Sequence, residues 1–92
     1  MQVTIEYAAQ VKRAAGLASE NLDVDEPCSV QQLIGRIAKI HGGTLSNLLL
    51  DGDGGLQRSI LLFVGDDQVR WETARQLRDG DVVSILSPIS GG

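Results

Sequence analysis

The sequence predicts an α+β domain in which a mixed sheet of four to five strands carries one main helix on one face. Residues near both ends of the chain alternate between apolar and polar side chains, as half-buried strands do. One capped helix with an apolar stripe is predicted between them, over residues 30–41. The chain has 92 residues, 42% of them hydrophobic, which suits a single domain with a modest core.

The first two strands are predicted to form a hairpin. Val3, Ile5 and Tyr7 alternate with polar residues over residues 2–8, which is the period of a strand with one buried face. A polar, glycine-containing stretch follows over residues 10–16. Leu22 and Val24 then alternate with polar neighbours, and Pro27 ends this second strand because proline donates no ladder hydrogen bond.

The main helix has signals at both of its ends. Ser29 is a favourable N-cap, and Gln32 lies three residues later, so the two residues can form a capping box. Gly42 and Gly43 are predicted to end the helix with a left-handed C-cap. Between these signals an apolar stripe recurs at helical spacing: Val30, Leu33, Ile34, Ile37 and His41, with Ala38 beside it.

The second half of the chain is predicted to contain a short helical turn and three strands. The turn includes Leu45, Leu48 and Leu49; the strands are residues 60–64, 68–71 and 82–86, and Pro88 ends the last of them. Loops are predicted where glycine and aspartate cluster, at residues 51–55, 65–67 and 79–81.

This order of elements, a hairpin, a helix and then three strands, is the β-grasp arrangement. The helix would cover one face of the sheet and close the core. The predicted core packs Leu33, Ile34 and Ile37 against Ile5, Leu62, Val64 and Ile85.

Composition excludes several classes of function. The net charge is −4, with only two lysines and no basic run, so no nucleic-acid partner is expected. A lone cysteine, Cys28, provides neither a disulfide nor a thiolate metal cluster. The N-terminal residues lack a signal-peptide pattern, and the longest apolar run, residues 60–64, is too short to span a membrane. We therefore expect a cytoplasmic protein with no membrane partner.

Catalytic and metal-binding motifs are also missing from the sequence. His41 is the only histidine, and its predicted place at a helix C-terminus suits its partial charge. The segment 51–55 fails the calcium-loop pattern because Leu56 stands at the sixth position and Leu62 at the twelfth. No phosphate-binding loop is present. We expect no bound cofactor, no metal and no enzyme activity of its own.

The remaining candidate is the segment Ser90-Gly91-Gly92. The sequence predicts a domain over residues 1–87, followed by a flexible tail over residues 88–92 that ends in two glycines. Chance alone gives a terminal Gly-Gly in roughly one sequence in 70 at this glycine content. The tail is therefore a moderate signal that needs support from its context.

That context is the segment 79–92, which closely resembles the end of the MoaD/ThiS family of ubiquitin-like sulfur carriers. The resemblance extends to the strand at residues 3–7 and the helix at residues 29–41. These proteins include the small subunit of molybdopterin synthase and the sulfur carrier of thiamine synthesis. The family has the β-grasp fold, which agrees with the order of elements.

The resemblance implies a reaction at Gly92. The terminal carboxylate would be adenylated by an ATP-using partner that resembles ubiquitin-activating enzymes, and sulfur would then replace AMP to give a thiocarboxylate. Pro88, Ile89, Ser90 and Gly91 would enter the partner's channel, over an extended reach of roughly 16 Å. The sulfur would serve cofactor synthesis, first of all molybdopterin, with a large synthase subunit or another sulfur acceptor as the second partner.

Two other hypotheses stay open at this point. A ubiquitin-like modifier would join Gly92 to lysines, and a plain β-grasp binding module would not use its tail. The sequence also departs from the family pattern. Molybdopterin synthase small subunits often have Pro-Pro where this chain has Ser87-Pro88, and the glycine-rich segment 51–55 resembles an insertion.

Overall fold

The computed structural model describes residues 1–87, and the predictions for Pro88 to Gly92 concern residues outside this range. The predicted α+β class and mixed sheet are confirmed. The elements, in chain order, are β1 (Gln2–Ala8), α1 (Ala9–Ala15), β2 (Ser19–Asp23), α2 (Val30–His41), α3 (Gly43–Leu49), β3 (Leu61–Val64), β4 (Asp67–Val69) and β5 (Val82–Ser87).

The five strands form one sheet in the order β2-β1-β5-β3-β4. β1 and β5 run parallel, with Tyr7 opposite Ile85, whereas every other pair is antiparallel. β5 is therefore the central strand, held by β1 on one side and by β3 on the other. The predicted hairpin of β1 and β2 is confirmed as an antiparallel pair, with Val3 opposite Leu22.

The core lies between the sheet and α2. Alternate residues of β5 are buried, and the same alternation places Ile5 and Leu62 on the buried face. Ile37 of α2 has no exposed surface and belongs to the same cluster. All seven residues of the predicted core belong to that cluster: Ile5, Leu33, Ile34, Ile37, Leu62, Val64 and Ile85.

The predicted capping box at the start of α2 is confirmed. The N–H of Gln32 donates to Oγ of Ser29 at 3.2 Å, and the N–H of Ser29 donates to Oε1 of Gln32 at 2.8 Å. At the other end, Gly42 donates to the carbonyl of Ala38 at 2.8 Å. Gly42 has φ 60° and ψ −163°, so the predicted left-handed C-cap is wrong; the positive φ still favours glycine.

α1 is the main departure from the predicted elements, because the sequence indicated a polar connection over residues 10–16. Alanine, lysine and arginine favour a helix, and Val11 anchors this one in the core. Gly16 supplies a left-handed C-cap at φ 79°, and its N–H donates to the carbonyl of Lys12 at 2.9 Å.

The remaining boundaries differ by a few residues. The predicted turn at Leu45–Leu49 is a complete seven-residue helix, α3, and the loop at residues 51–55 is confirmed. The predicted strand at residues 68–71 ends earlier, at Val69, because β3 and β4 pair no further than Leu62 and Val69. The last strand extends one residue beyond the prediction, to Ser87.

Candidate functional site

The predicted reactive segment follows directly from the central strand. β5 ends at Ser87, which is only 3% exposed and forms a bridge with Ala9 beside β1. Gly92 and the predicted channel residues Pro88, Ile89, Ser90 and Gly91 lie outside the described residues. The structure therefore fixes the position of Ser87, the residue that precedes this segment in the sequence.

The sheet face opposite α2 carries partly exposed apolar side chains on the neighbouring strands β3 and β5. We call this the outer patch; it consists of Leu61, Phe63, Val82 and Leu86. Leu61 lies opposite Leu86 in the β3–β5 ladder, and Phe63 lies opposite Ser84. The patch thus extends along β5 to the residue before Ser87.

Polar side chains border the outer patch on β1. Glu6 is exposed opposite Ser84, whose hydroxyl donates to Oε1 of Glu6 at 3.4 Å. Thr4, two residues away on the same face, donates to Oδ1 of Asn21 at 2.8 Å. A half-buried apolar centre with a polar border is typical of a protein-docking surface. The sequence signal that could have identified this face is the uninterrupted apolar run of β3, which makes both faces of that strand apolar.

A polar cluster joins β1, β2 and α2 on the helix side of the sheet. The hydroxyl of Tyr7 donates to Oε2 of Glu20 at 2.5 Å, and Nε2 of His41 lies 2.7 Å from the same oxygen. The rings of Tyr7 and His41 meet edge to face, with centroids 6.1 Å apart. The predicted helix-terminal position of His41 is confirmed, but the sequence did not reveal its partner Glu20.

The pKa values of Tyr7 and Glu20 shift in opposite directions. Burial, followed by the hydrogen bond to Glu20, raises the pKa of the Tyr7 phenol, so it remains a donor. Burial by itself raises the pKa of Glu20, but the hydrogen bonds from Tyr7 and His41 outweigh it and hold that pKa below its ordinary value. The arrangement locks three elements together with its polar groups satisfied, which is a structural role.

The two other sequence candidates are also structural. Oδ1 of Asp51 accepts hydrogen bonds from the N–H groups of Asp53 and Gly55, both at 2.9 Å, which is an aspartate-stabilised turn. Cys28 is buried, and burial raises the pKa of its thiol although the charge of Arg36 acts in the other direction. Within residues 1–87, no group of three His, Cys, Asp or Glu side chains could hold a metal ion.

The helices described in residues 1–87 are all too short or too polar to cross a lipid bilayer.

Two known proteins are similar to this chain over all or nearly all of its length. It is 25% identical over 92 residues to the molybdopterin synthase sulfur carrier subunit of Chlamydomonas reinhardtii, with complete coverage of both chains. It is 26% identical to a putative molybdopterin converting factor, subunit 1, from Pyrococcus furiosus, with a TM-score of 0.78 over 97% of this chain and 99% of that one.

A third similarity concerns the fold alone. SAMP1 of Haloferax volcanii, a small archaeal modifier protein, superposes with a TM-score of 0.89 at 21% identity over the full length of both chains. The five-stranded mixed sheet thus corresponds to the ubiquitin-like β-grasp fold. The model of the ThiS family matches residues 5–92 of this sequence, and the chain is therefore a member of the ThiS family.

Proposed function

We propose that this protein is a sulfur carrier whose Gly92 carboxylate is adenylated and then converted into a thiocarboxylate for cofactor synthesis, with molybdopterin as the first candidate product. The observation that carries the proposal is the end-to-end match to a molybdopterin synthase sulfur carrier subunit. The family match also extends through residue 92 and so includes Ser90-Gly91-Gly92.

The proposed chemistry has two steps. A carboxylate oxygen of Gly92 attacks the α-phosphorus of ATP, and pyrophosphate leaves, so a poor electrophile becomes a mixed anhydride. A sulfide-equivalent nucleophile from the partner then attacks the carbonyl carbon, and AMP leaves with the bonding electron pair. The sulfur stays covalently attached and is presented at high effective concentration. ATP is bound and used by the activating partner.

Glycine at the last two positions suits this chemistry. Gly91 and Gly92 have no side chain, so they fit a narrow channel and adopt backbone angles closed to other residues. Pro88, Ile89 and Ser90 complete the channel segment. In extended form, residues 88–92 reach roughly 16 Å, which allows the carboxylate to enter a deep site while the domain stays outside.

The outer patch is the proposed docking face for both partners, an adenylating enzyme and a large synthase subunit or another sulfur acceptor. It lies on β5, the strand that leads to the reactive segment, and it combines Phe63 with three aliphatic side chains. Aromatic anchors in the centre of a patch supply much of the binding energy in protein interfaces. A partner seated there would receive the tail directly from Ser87.

The protein supplies the reacting carboxylate and the docking face, and its partners supply the catalytic groups. The only histidine, His41, is held by Glu20 in a structural cluster on the helix side of the sheet. A cytoplasmic location is part of the same proposal, since it provides ATP and keeps the buried thiol of Cys28 reduced.

A modifier that forms isopeptide bonds with lysines is the second candidate. The close superposition on SAMP1, a small archaeal modifier protein, is the observation that supports this second candidate. Both functions require adenylation of Gly92, so the product separates them: a free thiocarboxylate in one case and conjugates of higher mass in the other. A plain binding module would produce neither.

Intact-mass measurement tests the proposal. The full chain and a Gly92-deleted form are incubated with an adenylating enzyme from the same organism, ATP and a sulfur source. We expect the full chain alone to gain the mass of one oxygen replaced by sulfur. Circular dichroism of both forms controls for folding. Equal activation of both forms, or activation of neither, would show that the terminal glycine is not the reacting site.

A further inference from the structure

The hairpin of β3 and β4 opens into a cleft at one end. The last paired residues are Leu62 and Val69, and beyond them residues 56–60 and residues 70–73 diverge. The cleft has a volume of about 540 Å³, and its floor includes the buried residues Ile60 and Val69. This space is large enough for a side chain of another molecule.

Both walls of the cleft are tied to the body of the domain. On one wall, Nε2 of Gln57 donates to the carbonyl oxygens of Leu50 at 3.1 Å and Asn47 at 3.3 Å. On the other, Nε2 of Gln31 in α2 donates to the carbonyl oxygens of Trp71 and Thr73. Side-chain hydrogen bonds therefore hold both walls of the cleft in place.

Two arginines line the cleft from different walls. Arg58 comes from the segment before β3, and Arg70 comes from the segment after β4. Neither forms an ion pair within residues 1–87. Asp67 of β4 is instead paired with Arg75, with 3.5 Å between the guanidinium nitrogen and the carboxylate oxygen. Trp71 and Glu72 also line the cleft, so one acidic group shares it with the two cations.

The cleft lies at the same end of the sheet as Ser87, the last described residue of β5. Ile60 in its floor precedes Leu61, and Leu61 is opposite Leu86, the residue before Ser87. The cleft is therefore adjacent to the outer patch and one strand away from β5. A protein that receives the tail beyond Ser87 therefore approaches the end of the sheet where the cleft lies.

We propose that Arg58 and Arg70 bind an acidic side chain, the carboxylate of a glutamate or aspartate, on the rim of the partner's channel. The docking role rests on the proposed function; the carboxylate site itself does not. Guanidinium groups match carboxylates in planar, bidentate geometry. The two walls would hold the carboxylate between them, above the apolar floor.

Charge explains why this contact would set the orientation of the complex. The chain has a net charge of −4, so a complementary partner presents a mainly basic surface to it. At the cleft, however, Arg58 and Arg70 require an acidic group on the partner. An acidic residue of the partner is attracted at the cleft and repelled where it faces carboxylates of this protein, which disfavours those orientations. The open position at the sheet edge favours a protein side chain over an enclosed small molecule.

The carboxylate site is tested without a partner. Amide chemical shifts of the full chain are followed during titration with N-acetylglutamate α-amide, and N-acetylglutamine α-amide is the neutral isostere. We expect saturable shifts at residues 57–60 and 69–72 with the glutamate probe only, and their loss in R58A/R70A. The matched control R36A/K39A, on exposed positions of α2, should keep them.

Three results would overturn the carboxylate site. The first is an equal response to both probes, which would mean that charge is not recognised. The second is no response at saturating concentration. The third is a response to inorganic phosphate with none to the glutamate probe, which would make the cleft a phosphate site.

The docking role is tested by charge reversal in the complex with the adenylating enzyme. R58E/R70E and R36E/K39E change the net charge equally, so general electrostatic steering is matched. We expect the dissociation constant to rise about tenfold or more for R58E/R70E and to stay within about threefold for the control. Equal effects would refute the docking role. If wild-type protein binds no adenylating enzyme, the proposed function fails, while the probe titration still decides the carboxylate site.

Discussion

Nε2 of His41, at the end of α2, lies 2.7 Å from Oε2 of Glu20 on the edge strand β2. The two residues are 21 positions apart in the sequence, and both side chains are about four-fifths buried. Since Tyr7 donates to the same oxygen, one carboxylate joins the helix to two strands. This relationship makes part of the stability of the fold dependent on pH.

Replacing Glu20 with glutamine should expose that dependence. The pKa of Glu20 is lowered in the folded protein, so its stabilisation is complete above the ordinary value of 4.5 and is lost as pH falls through the lower, folded value. We expect Glu20→Gln to cost about 1 to 3 kcal/mol at neutral pH and progressively less below 4.5. Urea unfolding across pH 3 to 7 measures this difference. Glu6→Gln, on the exposed outer face, is the matched control, and equal pH profiles for both variants would refute the role of the cluster.

Ile37 and Ile40 lie three residues apart on α2 and provide a matched pair. Ile37 is fully buried, whereas Ile40 is 51% exposed. Truncation of a buried isoleucine removes contacts and leaves a cavity, so Ile37→Ala should cost about 2 to 5 kcal/mol. Ile40→Ala should change the free energy of unfolding by about 0.5 kcal/mol or less. Denaturant titration of both variants measures the costs; similar values would mean that the helix phase is wrong.

The capping box predicts coupling between Ser29 and Gln32. Each residue accepts a hydrogen bond from the backbone N–H of the other, so Ser29→Ala should cost about 0.5 to 2 kcal/mol. In a double-mutant cycle, the variant with both residues changed to alanine should cost less than the sum of the single costs. Strict additivity in urea unfolding would show that the two bonds act independently.

Phe63 should carry binding energy in the outer patch. Its side chain is partly exposed on the face opposite α2, so Phe63→Ala should affect a partner more than the fold. We expect the dissociation constant for the adenylating enzyme to rise about tenfold, in the range found for aromatic anchors. Ile40→Ala removes an exposed apolar side chain elsewhere and should leave affinity unchanged. Calorimetry of both complexes gives the comparison, and unchanged affinity for Phe63→Ala would move the docking face away from this patch.

Extension of the chain by one residue after Gly92 should block activation without unfolding the domain. The added residue moves the carboxylate away from the attacking position. Gly91→Val should also block activation, because a branched side chain does not fit a narrow channel and restricts the backbone angles. Neither change alters the core cluster described in residues 1–87, so we expect the midpoint of thermal unfolding to stay the same in both variants. Mass spectrometry after activation, together with thermal unfolding, tests both expectations. A thiocarboxylate on the extended chain would contradict the proposed mechanism.

Local signals predicted most of the fold. The alternation of Val3, Ile5 and Tyr7, the capping box at Ser29 and the apolar stripe of α2 each lie within one short segment, where propensity and periodicity act directly. α1 was missed because only Val11 is buried among seven residues, too few to form an apolar stripe. Its available signal was Gly16, which follows Lys12 and Arg13 as a helix C-cap.

The site was predicted only in part, because its contacts depend on the fold. Glu20 meets Tyr7 and His41 across 13 and 21 residues, and the sequence has no local mark of such contacts. The same holds for Arg58 and Arg70, which share a cleft only because the β3–β4 hairpin opens beyond Leu62 and Val69. The tail was identified from residues 79–92 by resemblance, and its chemistry remains a prediction.

The central position of β5 also has a mechanical consequence. A pulling force applied to Ser87 along the axis of β5 is resisted jointly by the hydrogen bonds to β1 and β3 on the two sides of the strand. In this geometry the ladders are loaded in shear, so many bonds must break at once instead of one after another. A force on the tail along this direction would therefore be distributed over the whole sheet, and β5 would not separate from its neighbours one hydrogen bond at a time.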